Sequence, residues 1–144
     1  MQIDISNNTN DKSSILLLSS LFFISNILTA YYCKQYFYSF LFLILTITSL
    51  IVHYEDNYYT NVIDKIAVLS IVLYGGHILC NKMNRSNLFY CFIIVITFML
   101  CVYLYIYGFF FKKYCFCDKK SISQKYHFIM HIIGSFGHHL IIYL

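Results

Sequence analysis

Long apolar runs broken by short polar joints dominate this chain. Five stretches are continuously apolar over about the length of a membrane span: Ile15–Tyr32, Tyr36–His53, Val62–Cys80, Leu88–Phe111 and Tyr126–Leu144. A helix needs about 20 predominantly apolar residues to cross a bilayer. The joints Cys33–Gln35, Tyr54–Asn61, Asn81–Asn87 and Lys112–Lys125 are too short to be domains. With no water in the hydrocarbon core, each run must satisfy its own backbone hydrogen bonds, so each is expected to be a helix. A membrane β-barrel would alternate apolar and polar positions, and these runs do not. The pattern predicts an all-α membrane protein, a single bundle of about five transmembrane helices over residues 1–144.

Composition strengthens this picture. Sixty per cent of the 144 residues are apolar and 11% are charged, with no Pro and 5 Gly. Soluble domains carry about 25% charged residues, and a disordered chain would be polar and charge-rich. A soluble globule of this length lacks the interior volume to hide so much apolar surface. The net charge of +4 is modest and forms no basic face, so nucleic acid is not an expected partner. The first span is kept as mature, because the segment before it carries Asp4 and Asp11 with only Lys12, unlike the basic start of a signal peptide.

Charge placement suggests an orientation. Five spans put the termini on opposite sides. The N-terminal side then holds Lys12, Lys65, Lys112, Lys113, Lys119, Lys120 and Lys125, and the other holds Lys34, Lys82 and Arg85. Basic residues favour the cytosolic face, so the N-terminus is expected there. The six cysteines, at 33, 80, 91, 101, 115 and 117, do not form paired CxxC units. Cys115 and Cys117, close to Lys112 and Lys113, form a weak palmitoylation signal, and unmodified reduced thiols are the plainer expectation.

Ionisable groups within spans are costly and tend to mark function. His53 ends the second span, Asp64 starts the third, and His127 and His131 start the fifth. An up-and-down chain brings these four to one depth, with Ser49 one turn from His53 on the same helix face. Residues four apart share a face, about 6 Å apart along the axis. His127 and His131 can thus grip one ion, with His53 supplying a third nitrogen. Three His with an open water position is a known catalytic zinc arrangement, and zinc lowers the pKa of bound water to about 7. Asp64 could take that water's proton. Ser49 could hold the water or donate to a developing oxyanion.

The stretch from Ser49 through His53 to Asp64, together with His127 and His131, resembles the signature of the CREST superfamily of membrane hydrolases and receptors. That group includes alkaline ceramidases, progestin/adiponectin receptor-type proteins and GPI-anchor lipid-remodelling proteins. The matching elements are SxxxH (Ser49, His53), an Asp at the start of the next helix (Asp64) and HxxxH in the last helix (His127, His131). The spacing of eleven from His53 to Asp64 is similar to the ceramidase and GPI-remodelling branches, and Asp56 and Thr60 resemble the latter. The resemblance implies zinc held by His53, His127 and His131, with Ser49 and Asp64 near the metal-bound water. It implies a membrane lipid as substrate or ligand. The superfamily has seven core spans and this chain is expected to have five. Loss of a helix pair preserves parity and leaves a smaller lipid cavity.

His138 and His139 lie about 10–12 Å deeper than His131 and are expected to pack between helices, as is His77 near the opposite side. Gly75, Gly76, Gly134 and Gly137 are expected to allow close helix contact. Three functions remain open from the residues. The first is a zinc-dependent hydrolase of a lipid amide or ester. The second is a metal-bearing but non-catalytic, receptor-like relative. The third is a metal-free structural multipass protein, favoured if the imidazoles point to lipid or stand more than about 8 Å apart. A haem protein is the remainder.

Overall fold

A computed structural model describes residues 7–55 and 57–144, with Asn7–Ser14 and Ser86 described in backbone only. Asp56 lies outside the described residues, as does Asp4. The fold is all-α. Helix α1 spans Asn7–Tyr32, α2 Tyr36–Tyr54, α3 Tyr58–Lys82 and α4 Leu88–Val102. A π-helical turn, Tyr103–Tyr107, continues α4 into the short α5, Gly108–Phe111. A 3-10 turn at Tyr114–Phe116 leads to α6, Lys120–Tyr143.

Helix ends follow local chemistry more than hydropathy. α3 starts at Tyr58, before the expected apolar onset at Val62, because Asn57 caps it. The Asn57 side chain accepts the Thr60 amide at 2.9 Å, and Thr60 Oγ1 accepts the Asn57 amide at 3.3 Å. This reciprocal box satisfies amides that the first turn leaves without partners. α6 begins six residues before the expected Tyr126, at Lys120. Between α1 and α2, Lys34 takes the left-handed conformation (φ 60°). The Gln35 amide then reaches back to the Ala30 carbonyl at 2.8 Å. The chain thereby reverses within Cys33–Gln35.

Among the described residues, four helices are long and apolar enough to cross a membrane: Ile15–Tyr32, Tyr36–Tyr54, Tyr58–Lys82 and Leu88–Phe111. Their outward positions carry large apolar side chains, among them Leu28, Phe40, Leu73, Phe92 and Met99. A surface of this kind is stable against acyl chains and not against water. The expected fifth span lies within α6, which is less apolar because His127, His131, His138 and His139 interrupt it. α6 tolerates them because α1, α3 and α4 pack around it, and Gln124, His131, Ser135, Gly137 and His138 turn inward.

The interior is built from small and polar residues as much as from Leu and Ile. Ser19, Ser20, Asn26 and Ala30 of α1 are fully buried, beside Tyr38 and Phe42 of α2 and Ile94 of α4. Helices in lipid gain little from burying apolar surface against one another. Close backbone approach and hydrogen bonding hold them together instead. Asn26 Nδ2 donates to the Ser135 carbonyl at 3.0 Å, and Ser135 Oγ donates to Asn26 Oδ1 at 2.5 Å. Gly137 admits the Thr97 side chain, which a Cβ would strike.

Gly75 and Gly76 separate packing from propensity. A Cβ at Gly75 would stand 2.6 Å from the Tyr38 hydroxyl and 3.2 Å from the His138 ring, whereas at Gly76 nothing lies within 4 Å. Both sit in α3, so Ala adds about the same helix propensity at each, roughly 0.8–1 kcal/mol. Tyr38 is fully buried and its hydroxyl is paired with His138. Thermal melting in detergent should show Gly75→Ala less stable than Gly76→Ala by about 1–3 kcal/mol, the cost of overpacking.

Candidate metal centre

The last turn of one helix and the first half of another build the cluster. His53 lies in the last turn of α2, and His127 and His131 lie one turn apart on α6. Their ligand nitrogens all lie within 4.8 Å of one another. The ring centroids stand 5.2 Å apart for His53–His127, 5.8 Å for His53–His131 and 4.7 Å for His127–His131. All three rings therefore approach one another. His131 is the deepest, at 9% exposure. The Phe23 ring packs against it at 5.1 Å.

The donor set suits a borderline-soft divalent cation. Zinc takes imidazole nitrogens at about 2.0–2.1 Å, which separates tetrahedral ligands by about 3.4 Å. Small side-chain rotations bring nitrogens that are within 4.8 Å to that spacing. The residues present thus fit the metal implied by the resemblance.

Ser19 holds the His131 ring. Its Oγ lies 2.7 Å from the Leu16 carbonyl and 2.8 Å from His131 Nδ1. The single hydroxyl proton of Ser19 can point to Leu16 or to the ring, and His131 Nδ1 takes the complementary role. With the proton directed to Leu16, His131 Nδ1–H donates to Ser19 and its Nε2 lone pair is free to act as a ligand, the arrangement that metal-binding histidines need.

Ser49 is held in a similar way. Its hydroxyl pairs with Ser20 Oγ at 2.9 Å, and Ser20 Oγ donates to the Leu16 carbonyl at 3.1 Å. Either hydroxyl can donate in the Ser20–Ser49 pair, and the Ser49 oxygen can also accept a hydrogen bond from water. It is 2% exposed. Asp64 is not part of the ligand cluster. Its Oδ1 accepts the Thr48 hydroxyl at 3.0 Å, which ties the start of α3 to the last turns of α2.

The other histidines stand apart. His138 Nδ1 pairs with the Tyr38 hydroxyl, and its ring lies 5.2 Å from Phe42 and 4.9 Å from Phe98. His139 Nε2 meets Ser25 Oγ of α1 at 2.9 Å. His77 Nε2 accepts Asn81 Nδ2 at 2.9 Å, a bond within α3 and not between helices as expected. All six cysteines are free. Cys115 is buried, and burial pushes its thiol up to about 11. At neutral pH it is a protonated thiol, poor as a nucleophile.

Ser19 and Ser20 are the site residues that sequence reading missed. The signal was present as two adjacent hydroxyls inside an apolar span, but which helix they would face was not. Ser19→Ala should weaken zinc or cobalt binding about 10–100-fold, the usual effect of losing the partner of a ligating His, as measured by competition with a chelator. The helix content should not change. Comparison with protein-family models, curated proteins and solved structures finds no match to this chain.

Proposed function

We propose that this chain is a zinc-dependent integral-membrane hydrolase, a shortened relative of the CREST type, acting on an amide or ester bond of a membrane lipid. The mutual approach of His53, His127 and His131 carries the proposal, because three imidazoles from two helices converge on one point. The Ser19 contact supports it further. A serine hydroxyl held on Nδ1 orients the His131 ring and leaves Nε2 to face the cluster.

The residues divide the work as follows. His53, His127 and His131 would hold the cation. When bound, zinc supplies a nucleophilic water at neutral pH and polarises the scissile carbonyl. Ser49 would orient that water through a hydrogen bond to its hydroxyl oxygen. Asp64, whose Oδ1 accepts the Thr48 hydroxyl, would take the proton through a linking water. A groove of about 460 Å³ at this end of the bundle, lined by Leu17, Leu50, Ile51, Tyr54 and Glu55, offers apolar walls for an acyl chain and polar groups at its mouth. Leu50 and Tyr54 directly follow Ser49 and His53 in sequence.

The Thr48–Asp64 bond favours a second reading. A carboxylate occupied by a neighbouring hydroxyl is a poor base, and a metal-bearing receptor-like protein would need none. Turnover separates the two.

Purified protein should carry about one zinc per chain by elemental analysis, and His131→Ala should lose it. Zinc-dependent release of fatty acid from a panel of ceramides and acyl lipids should fall about 10²–10⁴-fold in Asp64→Asn and about 10–100-fold in Ser49→Ala. Stoichiometric zinc with no turnover on the panel would move the assignment to the receptor-like reading. A folded wild type that takes up no zinc would overturn both.

A further inference from the structure

A second cavity lies at the other end of the bundle. The start of α2 lines it, and His53 lies in the last turn of that helix, seventeen residues on from Tyr36 and about 25 Å away at 1.5 Å per residue. The cavity measures about 530 Å³ and lies between the α1–α2 turn and the last turns of α3. Lys34, Tyr36, Phe37, His77, Asn81 and Lys82 line it. The lining holds two ammonium groups and no carboxylate. Glu55 and Asp64, by contrast, belong to the His-cluster end of α2 and α3.

The two cations are fixed in different ways. Lys34 sits in the left-handed conformation of a three-residue turn, so its backbone is specified by the reversal. Lys82 Nζ donates to the Ile141 and Ile142 carbonyls at 3.3 and 3.2 Å, which closes the C-terminal end of α6. An ammonium has three donors, so Lys82 retains one. His77 Nε2 accepts from Asn81, which leaves its Nδ1–H as a donor. Tyr36 and Phe37 stand at the edge, with Phe37 edge-on to Tyr74 at 4.9 Å. Aromatic rings and Lys at the end of membrane-crossing helices mark headgroup depth. A basic recess there suits a phosphate group.

We propose that this cavity binds the phosphate of an anionic phospholipid. Lys34 and Lys82 contact the phosphate oxygens, His77 supplies a neutral donor, and Tyr36 and Phe37 cover the glycerol region. The site lies far from the histidine cluster and does not depend on the function assigned to it. A soluble phosphate would satisfy the same donors, but the apolar rim and the position at the helix ends favour the lipid.

Native mass spectrometry of the full chain in detergent, titrated with phosphatidylglycerol or phosphatidylcholine, tests this. Phosphatidylglycerol should bind about fivefold more tightly, and Lys34→Asn should remove about that preference. Asn keeps the left-handed turn while deleting the charge. Lys34→Arg should retain the preference, His77→Gln should weaken it in the same direction, and Lys125→Gln in the first turns of α6 should leave it unchanged. Equal binding of the two lipids, or an unchanged preference in both Lys34→Asn and His77→Gln, would overturn the site. Displacement of phosphatidylglycerol by millimolar inorganic phosphate would overturn the lipid as its occupant.

Discussion

The register of α6 against α1 and α2 is the constraint on which everything else rests. His131, Ser135 and His138 occupy positions i, i+4 and i+7 and so share one helix face. Each meets a polar partner across the interface: Ser19, Asn26 and Tyr38 respectively. Burying such groups without partners costs roughly 2–7 kcal/mol each, and no water is at hand in a bilayer to relieve it. A rotation or a one-turn slip of α6 would break all three pairs together. The helix is therefore fixed in angle and depth. His127, one turn before His131, is carried into place against His53 by the same register.

The remaining elements complete the enclosure. α4 is apolar over its whole length and lies against α6, where Thr97 enters the space left by Gly137. Phe98 closes the far side of the His138 ring. At its end the π-helical turn stacks Tyr103 on Tyr107 at 4.9 Å and Tyr107 on Phe111 at 4.3 Å. Gly108 follows, where a Cβ would meet the Lys113 carbonyl at 2.7 Å. This tight return brings the chain back to start α6 within a short loop. The bundle's middle is filled with rings and small side chains, and two open volumes lie toward its ends. The chemistry thus gathers at the ends, the histidine cluster at one and the basic recess at the other.

Much of this was legible along the chain. Apolar runs of span length reveal helices because bilayer thickness admits few alternatives. The His127–His131 spacing reveals a shared face because 3.6 residues make a turn. Other features were not legible. The early start of α3 depends on a two-residue box at Asn57 and Thr60, inside what hydropathy reads as a joint. The sequence pattern placed Asp64 level with the histidines, yet depth says nothing of direction. The carboxylate turns to Thr48, which neighbours Ser49 in sequence but points about 100° away from it around the helix.

The chain's own order of residues therefore determined that it is helical, that it belongs in a membrane, and that three imidazoles sit at one level, since these follow from local periodicity and from the solvent. Tertiary packing decided which side chains meet. Ser19 and not Ser20 reaches His131, Ser20 takes Ser49, and Lys82 closes α6. Adjacent residues on a helix differ by about 100° in direction, so such choices follow from the angle at which each helix docks, and that angle is a property of the whole bundle.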